Sequence, residues 1–401
     1  MARIDIVVSN DRHHWAMMET LAREAAGRGH GCRVLSLCEF RGIATPAESL
    51  DDGRIPVLRL SRIHRPQAAK GKGVGSKGNS SRLFKNLAWH LFLAGNVRKA
   101  LAARPDLVLL FNDAAYPYDR VCRMLRKSGI PFVLIQEGIR YDVADSAQEG
   151  SLNQGKGGAD AIAAWGASSA EYFVRQGAPA ETIRLTGNPR FDEIEGMDLQ
   201  ARAESIREEL GLRGRTLLFL SNPIEFHGYC SIQKKFELIR DFILGLDPLF
   251  EDPEFRLIFK LHSHEDPNDF REAAGASAHE KSILIVSNYE LYPLLTLADG
   301  AVIFSTTAGL EAVLLGVPLG VVDIPGVGYL HDFVPGGAAV PLGWTEPMAD
   351  QVSRLLASKG HNRPEVQRYL DRTLALRKGA TDAVIDLAEE VLAVNGGQPD
   401  R

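Results

Sequence analysis

Short apolar runs alternate with longer segments of helical periodicity along most of the chain. Each apolar run has the length of a strand and is followed by polar or glycine-containing turns. Strands that alternate with helices predict parallel sheets built from right-handed βαβ units. The predicted strands are Ile4–Val8, Arg33–Leu37, Pro56–Leu60, Leu107–Phe111, Phe132–Gln136, Ala161–Trp165 and Ile183–Thr186 in a first series, then Leu217–Leu220, Arg256–Leu261, Ser282–Val286, Ala301–Phe304 and Leu319–Val322 in a second.

The two series predict an α/β protein with two Rossmann-like, doubly wound parallel sheets. We expect an N-terminal domain over 1–192, a second domain over 193–380, and a C-terminal helix within 381–401 that crosses back to the first. The predicted helices include Trp15–Arg28, Leu87–Ala103, Asp119–Lys127, Ser168–Gln176, Leu199–Leu210, Phe236–Leu246, Arg363–Lys378 and Thr381–Val394.

Composition narrows the class of protein. With 401 residues, 45% apolar and 24% charged, the chain is typical of soluble proteins with more than one domain. A net charge of −5 argues against nucleic-acid binding. Four scattered cysteines favour neither a zinc site nor disulfides and suit a reducing cytoplasm. The first strand follows the N-terminus directly, so no signal peptide is expected, and no apolar run of about 18 residues predicts a membrane span.

The segment Arg62–Lys85 contains seven Lys or Arg residues and no acid. It is either a solvated linker or a basic edge that attracts an anionic acceptor or the inner face of an anionic membrane. The apolar residues Phe84, Trp89 and Leu91 at its end suit either the core or a membrane anchor.

A hydroxyl-rich turn joins a buried strand to a helix in the second series. Ser305, Thr306 and Thr307 stand where free backbone N–H groups of a helix N-terminus favour an anion, and Glu311 follows one turn later. Such a turn can hold phosphates while the carboxylate accepts hydrogen bonds from ribose hydroxyls. The alternative is an ordinary helix cap followed by an ordinary first-turn acid.

Polar residues follow many of the predicted strands. Ligands of open parallel sheets bind beyond the carboxyl ends of the strands. The accumulation of polar residues at these ends in both halves of the chain therefore predicts two sheet edges facing a central cleft. Each residue alone also has an explanation as a cap or turn residue. The residues at strand ends are Asn10 and His13 after the first strand, Asp113 after the fourth, Glu137 and Arg140 after the fifth, and Asn222 in the second series.

Lys260 ends a predicted central strand and is followed by His262 and His264. If the strand continues, these three side chains project to one side and need a partner such as a diphosphate. A metal bound by the two histidines and Asp266, or a salt bridge from Lys260, are the alternatives. The turn Thr186–Asp192 leaves the first series, and its Asn188 either contacts a ligand or belongs to a plain hinge.

These elements resemble the donor-side motifs of GT-B-fold glycosyltransferases. The resemblance covers residues 160–322. It is nearest to capsule-type Kdo transferases, CDP-glycerol glycerophosphotransferases and the hydrolysing UDP-N-acetylglucosamine 2-epimerases. It implies a nucleotide-linked donor on the C-terminal domain and an acceptor on the N-terminal domain.

By position, Ser305, Thr306, Thr307 and Gly309 match the phosphate-holding turn and Glu311 the ribose-binding acid. Lys260 and His262 match the basic pair near the diphosphate. The chain has Ser263 where the CDP-glycerol enzymes have proline, and Glu137-Gly138 only approximates the Glu-Ala-Gly of the epimerases.

The leading prediction is therefore a metal-independent, inverting glycosyltransferase with no cofactor besides its nucleotide-sugar substrate. Glu137 is the predicted base and His262 the second catalytic residue, with Asp113, His13 and His14 as other candidates for the base. Lys260, Asn222 and Asn188 are assigned to the donor, and Asn10, His13, Asp113 and Arg140 to a saccharide or lipid-linked acceptor in cell-surface polysaccharide synthesis. The alternatives are a hydrolysing nucleotide-sugar 2-epimerase, which needs no acceptor, and a non-catalytic nucleotide-sugar-binding protein. An ion pair between Glu137 and Arg140 is the structural alternative to the base.

Overall fold

The structure is a computed structural model that describes residues 1–11, 13–61, 82–140, 154–226, 228–358 and 363–396; the side chains of residues 13 and 82–85 lie outside this description. The chain divides into two compact units. Unit 1 contains the described residues up to Gly196 and those from Arg372 onward, and unit 2 contains Met197–Asp371.

The strands and helices alternate along both units. The strands are β1 Arg3–Val8, β2 Gly31–Ser36, β3 Ser49–Leu50, β4 Ile55–Arg59, β5 Leu107–Leu110, β6 Phe132–Ile135, β7 Ala161–Ala164, β8 Ile183–Leu185, β9 Thr216–Leu220, β10 Arg256–Lys260, β11 Ile283–Val286, β12 Gly300–Ile303, β13 Leu319–Val322 and β14 Ala339–Leu342. The helices are α1 His13–Gly27, α2 Arg82–Phe92, α3 Ala94–Ala102, α4 Tyr118–Lys127, α5 Ala167–Arg175, α6 Leu199–Glu209, α7 Ile232–Gly245, α8 Asp247–Phe250, α9 Pro267–Ala274, α10 Leu291–Leu297, α11 Ala308–Leu314, α12 Met348–Ala357, α13 Pro364–Thr373 and α14 Ala380–Gly396.

Each unit is built on one sheet, and the predicted α/β class with two Rossmann-like parallel sheets is confirmed. In the described part of unit 1 the sheet has eight strands in the order β3-β4-β2-β1-β5-β6-β7-β8, parallel except where the short β3 pairs with β4. The sheet of unit 2 has six strands in the order β11-β10-β9-β12-β13-β14, all parallel. In each sheet the strand order reverses once near the middle, between β1 and β5 and between β9 and β12.

Helices cover both faces of the sheet of unit 1, and its central strands are apolar apart from Asp5 of β1, which is buried and accepts hydrogen bonds from Arg33 of β2 at 2.8 and 2.6 Å. Alternate residues of β5 enter two different clusters: Leu107 and Leu109 pack with α1 and α14, whereas Val108 and Leu110 pack with α2, α3 and α4. All four residues have no exposed surface. Burial on both faces explains why these strands read as continuous apolar runs.

All twelve predicted strands are present to within two residues at each end, and two further ones are added. The added strand β14 contains Pro341 and lies at the edge of its sheet. A proline is tolerated there because an edge strand has no neighbour on one side to accept the N–H that proline lacks. The single helix predicted over Leu87–Ala103 is wrong. It is two helices, α2 and α3, because the fully buried Leu93 leaves the helical backbone at φ −124° and ψ −45°.

The helix predicted over Arg363–Lys378 ends earlier, at Thr373, and the chain then passes close to β7 and β8. The backbone N–H of Ala375 donates to the carbonyl of Trp165 at 2.8 Å. A side chain at Gly187, whose φ is +74°, would collide with the carbonyl of Leu376, so this close approach requires glycine.

Helix α14 belongs to unit 1, and the carboxylate of Asp192 binds the N–H groups at its start. The two oxygens of Asp192 accept hydrogen bonds from the backbone N–H groups of Ala380 at 3.1 Å and Thr381 at 2.6 Å. Along the helix, Arg28, which directly follows α1, pairs with Asp382 at 2.9 Å. These contacts join the last helix to the first helix of the same unit.

Within the described ranges, every helix is too short or too polar to cross a lipid bilayer. The cytoplasmic location stays a prediction. Most of the basic segment Arg62–Lys85, up to residue 81, lies outside the described residues.

We expect Asp192→Ala to lower the free energy of unfolding by about 1–2 kcal/mol, because the first N–H groups of α14 lose their acceptor. Asp192→Asn is the matched control, since its amide oxygen still accepts a hydrogen bond, and we expect it to lose only a few tenths of that amount. Urea unfolding measures the difference, and amide hydrogen exchange at residues 380 and 381 locates it. Equal losses in the two variants would contradict the assigned cap.

Candidate functional site

In unit 1 the strand order reverses between β1 and β5, which is where open sheets of this kind bind ligands. Val7 pairs with Leu110, and Leu110 pairs with Leu134. The residues two positions further on, Ser9, Asn112 and Gln136, therefore lie side by side at the carboxyl edge. Glu137 directly follows Gln136 in the chain and so stands at the same edge.

Glu137 is surrounded by hydrogen-bond donors at this edge. Its Oε1 accepts hydrogen bonds from the side-chain amides of Asn112 and Gln154, both at 2.7 Å, and its Oε2 contacts Nε2 of His14. The side chain of Glu137 is 23% exposed, whereas that of His14 is 5% exposed. Glu137 is therefore the member of this acid–base pair that a ligand can reach.

The electrostatic surroundings keep Glu137 ionised. Burial alone raises the pKa of this carboxyl, but the charge of His14, its hydrogen bond, the charge of Arg140 and the hydrogen bond from Asn112 outweigh burial and lower the pKa well below its usual range. Arg140 acts across Gln154, whose Oε1 accepts a hydrogen bond from its guanidinium. Glu137 is thus a fixed, ionised carboxylate that lies against an imidazole.

His14 is held in one orientation. Its Nδ1 lies 3.4 Å from the backbone N–H of Ser9 and 3.3 Å from the hydroxyl of Tyr118, and its ring stacks on Phe111 with a centroid distance of 5.0 Å. The ring is therefore turned so that Nε2, and not Nδ1, faces the carboxylate of Glu137. The first helix thereby supplies the partner of the carboxylate at the end of β6.

The other residues predicted for unit 1 have structural contacts of their own. Both oxygens of Asp113 accept a hydrogen bond from the backbone N–H of Gly155 at 3.0 Å, and one oxygen also accepts from Gly157 at 2.6 Å. Burial raises the pKa of Asp113, and these hydrogen bonds partly offset the rise. The Oδ1 of Asn188 accepts from the backbone N–H of Arg190 at 3.1 Å, as in an ordinary turn.

Asn10 is half-buried directly after β1, and the side chain of His13 lies outside the described residues. Arg140 is buried and donates to Gln154, as noted above. The roles of these residues toward an acceptor stay predictions.

In unit 2 the reversal of strand order lies between β9 and β12. Leu220 pairs with Ile303, so Asn222 and Ser305, each two residues further on, stand side by side at the carboxyl edge. Both are buried, with exposures of 6% and 7%. The Oδ1 of Asn222 is buried and has no hydrogen-bond partner among the described residues, which leaves one acceptor for a ligand at this edge.

The hydroxyl turn leads into α11 as the sequence predicts. Thr307 stands at the N-cap without a hydrogen bond from its side chain to the helix, and the Oγ1 of Thr306 accepts from the backbone N–H of Ala308 at 3.3 Å. Both threonines are half-exposed, whereas Glu311, in the first turn of the helix, is 3% exposed.

Gly309 has a packing reason of its own. A Cβ at this position would lie 2.8 Å from Cδ1 of Ile303 and 2.9 Å from Cε2 of Phe333. The glycine therefore lets α11 pack closely on β12 and on Phe333, which accounts for it without a phosphate.

Lys260 and His262 occupy different local structures. Strand β10 ends at Lys260, whose Nζ donates to the carbonyl of Ser287 at 2.5 Å. His262 is exposed in the following turn, and its Nδ1 accepts from the backbone N–H of His264 at 3.3 Å. The strand stops before the histidines, so the condition under which Lys260, His262 and His264 would project to one side is not met.

A buried ion cluster supports the turn that carries His262, and the sequence analysis missed it. Glu265 accepts hydrogen bonds from Nζ of Lys235 at 2.5 Å, from Oγ of Ser221 at 2.8 Å and from the backbone N–H of His262 at 2.8 Å. Nζ of Lys235 also lies 2.9 Å from a carboxylate oxygen of Glu225. The side chains of Lys235 and Glu265 are 1% and 2% exposed.

One signal for this cluster is visible in the sequence. Lys235 lies within the apolar stripe of α7, one turn before Leu238 and Ile239, and a lysine on a buried face needs an acid partner. The identity of that partner, 30 residues away, cannot be read from the pattern.

No cluster of three or more metal-ligating side chains occurs among the residues that the structure describes. In the proposed trio of His262, His264 and Asp266, the aspartate instead caps α9 by accepting from the backbone N–H of Asn268 at 2.9 Å.

No family model matches the chain, and no curated protein matches it in sequence. Solved structures match it over almost the full length of both chains. Staphylococcus aureus MnaA, solved with UDP, is 14% identical with a TM-score of 0.66 and coverage of 100% of this chain and 99% of that one. The UDP-GlcNAc 2-epimerase of Neisseria meningitidis, bound to UDP-GlcNAc, is 13% identical with a TM-score of 0.63 and coverage of 97% and 100%. That of Methanocaldococcus jannaschii is 14% identical with a TM-score of 0.64 and coverage of 96% and 99%.

These comparisons show a GT-B-like fold and correct the functional prediction. The named neighbours are mostly UDP-GlcNAc 2-epimerases, so the prediction of a glycosyltransferase as the leading function is wrong, and its alternative, the 2-epimerase, has the better support.

We expect Glu137→Gln to lower the free energy of unfolding at neutral pH by about 1–3 kcal/mol, since hydrogen bonds to a charged group are lost. Because the pKa of Glu137 is lowered in the folded protein, its contribution is complete above the unfolded value of about 4.3 and is lost as pH falls below it. The difference between wild type and variant should therefore stay constant in urea titrations at about pH 6 and 5 and shrink in those at about pH 4 and 3. Glu171→Gln, at a 51% exposed residue of the same unit, is the control and should change little at any pH. A difference that stays constant across this range would contradict the ionised state.

We expect Lys235→Met to lower the free energy of unfolding by about 3–5 kcal/mol, because it leaves the buried carboxylate of Glu265 without its cation. The neighbouring Lys234→Met is the matched control: its side chain is 44% exposed, so we expect a change below about 0.5 kcal/mol. The double variant Lys235→Met/Glu265→Gln should lose less free energy of unfolding than the sum of the two single variants, as measured by urea unfolding. Strictly additive losses in this cycle would show that the two side chains do not interact.

Proposed function

We propose that the protein is a nucleotide-sugar 2-epimerase acting on a UDP-N-acetylhexosamine. The observation that carries the proposal is the Glu137–His14 pair at the strand-order reversal of unit 1, in a chain that shares its fold with UDP-GlcNAc 2-epimerases over nearly its whole length. One similar structure holds UDP and another UDP-GlcNAc, which supports a uridine diphosphate sugar as the substrate.

The reaction sets requirements that the residues can meet. Inversion at C2 of the sugar needs a base that removes the C2 proton and an acid that returns a proton from the other face. If the diphosphate leaves from C1 as the C2 proton is removed, the electrons of the C2–H bond form a C1–C2 double bond and those of the C1–O bond leave with UDP. Water that then adds at C1 gives the hydrolysing form of the reaction.

In unit 1 we assign proton transfer to Glu137 together with His14. Glu137 is the more exposed of the two, and the hydrogen bonds from Asn112 and Gln154 fix its carboxylate in place. A fixed carboxylate with a low pKa is a weak base by itself, but the adjacent imidazole can accept or supply the proton. Asn112 and Gln154 are positioning residues in this assignment.

In unit 2 we assign the uridine diphosphate to the carboxyl edge at the reversal between β9 and β12. The half-exposed hydroxyls of Thr306 and Thr307 and the start of α11 suit phosphate oxygens. Glu311 is only 3% exposed, so its assignment to the ribose hydroxyls rests on its place in the first turn of α11 and not on exposure. The unpartnered oxygen of Asn222 offers an acceptor to a nucleotide N–H or hydroxyl. His262, whose Nδ1 accepts from the backbone, presents an Nε2–H donor to the leaving diphosphate.

We expect the protein, incubated with UDP-N-acetylglucosamine alone in D₂O, to form the 2-epimer with deuterium at C2, because the removed proton exchanges with solvent. Proton NMR detects the isomer and the label, and ion-exchange chromatography distinguishes epimerised UDP-sugar from free sugar plus UDP.

Glu137→Gln should lower kcat by about 100-fold or more. Glu311→Gln should raise KM by about tenfold with a small effect on kcat, since it contacts the nucleotide and not C2.

Glu171→Gln is the control and should retain the wild-type rate, because Glu171 is an exposed partner of Arg372. If wild-type protein forms neither isomer nor C2-deuterated sugar while UDP-sugar still raises its Tm, the chain binds nucleotide sugars without epimerising them and the proposal fails.

A further inference from the structure

Helix α2 exposes large apolar side chains on its outer face. Leu87 is 56% exposed, Leu91 one turn later is 63% exposed, and Phe92 is 38% exposed. The inner face is also apolar: Ala88 and Trp89 are buried in the core of unit 1 with α3 and α4. The helix is therefore apolar on the side that it does not need for folding, which is the usual mark of a contact surface.

The sequence around α2 has a charge opposite to that of the rest of the chain. Residues 62–105 contain ten Lys or Arg residues and no Asp or Glu, although the whole chain carries a net charge of −5. The other residues therefore carry −15 in total. Two of the basic residues, Arg98 and Lys99, lie on α3, which follows α2 in the chain, and both are exposed.

We propose that the outer face of α2, with the basic residues of α3, docks on the surface of an anionic lipid bilayer. Leu87, Leu91 and Phe92 would enter the boundary between headgroups and acyl chains, while Arg98 and Lys99 would lie against anionic headgroups. The surface goes beyond the proposed epimerase activity and does not depend on it. It concerns only residues of α2 and α3 whose side chains are described.

Charge selects the lipid surface over the other possible occupants. A two-fold dimer through the same face would bring Arg98 and Lys99 of two copies near each other, so like charges would oppose the contact. A nucleic acid would satisfy the cations but would leave Leu87 and Leu91 against a polar backbone, because bases stack on aromatic side chains and these two are aliphatic. An anionic bilayer satisfies both the charges and the apolar side chains.

The test is co-sedimentation of the full chain with phosphatidylcholine vesicles that contain either no anionic lipid or about one-third phosphatidylserine. We expect binding to the anionic vesicles only, weakened as salt is raised. Leu87→Ser/Leu91→Ser and, separately, Arg98→Glu/Lys99→Glu should each weaken binding by about tenfold or more. The matched control is Val174→Ser/Leu185→Ser, which removes two other apolar side chains of unit 1, 45% and 47% exposed, and should bind like wild type.

Far-ultraviolet circular dichroism confirms that each variant is folded, and the charge variant tests the proposal even if the leucine variant is not. The proposal is overturned if wild type ignores anionic vesicles, or if it binds neutral ones equally well. Loss of binding in the control variant to the same extent also overturns it. Light scattering that shows a dimer broken by Leu87→Ser/Leu91→Ser, with no vesicle binding, would assign the face to a second copy.

Discussion

Burial of the sheets on both faces is the constraint from which the position of the chemistry follows. In unit 1, helices cover both faces of the sheet, so its central strands have no exposed residues. A charged side chain within such a strand would lose its hydration without a partner. The polar side chains that can act on a ligand therefore lie beyond the carboxyl ends of the strands, at the crevice where the strand order reverses. Glu137 in unit 1 and Asn222 and Ser305 in unit 2 occupy these positions.

The two units solve the problem of a partly or fully buried carboxylate in the same way. Glu137 is held by His14, Asn112 and Gln154, and Glu265 by Lys235, Ser221 and the backbone of His262. In each case three donors surround one carboxylate, which offsets its desolvation and fixes its orientation. The first carboxylate remains partly exposed and suits chemistry, whereas the second is enclosed and suits support of a neighbouring turn.

How much the sequence could predict follows from how local each feature is. The strands are local apolar runs, and residues such as Glu137 and Ser305 could be found because they follow those runs directly. The pairing of Gln154 with Glu137 and that of Lys235 with Glu265 could not, because the partners are 17 and 30 residues apart in the sequence and meet only through tertiary packing. The break at Leu93 was hidden because a buried leucine fits a helical pattern whether or not the backbone is helical.

The choice between transferase and epimerase was beyond the reach of the local motif. The hydroxyl turn and Glu311 are assigned to the part of the substrate that both reactions share, and Gly309 is explained by close packing on Ile303 and Phe333. What differs between the reactions lies on the sugar, which the motif does not contact in either assignment. Similarity over the whole length of the chain, and not the motif, therefore corrected the function.

Unit 1 is assembled from two pieces of chain, and this has a consequence for biosynthesis. Val384, Ile385 and Ala388 of α14 complete one of its two hydrophobic layers, yet the ribosome makes them after all of unit 2. The described residues of unit 2 all belong to one stretch of chain, Met197–Asp371, and are able to close their own sheet during translation. The half made first must wait with one face of its sheet covered by α1 but not yet by α14, so apolar surface stays exposed until the last helix emerges.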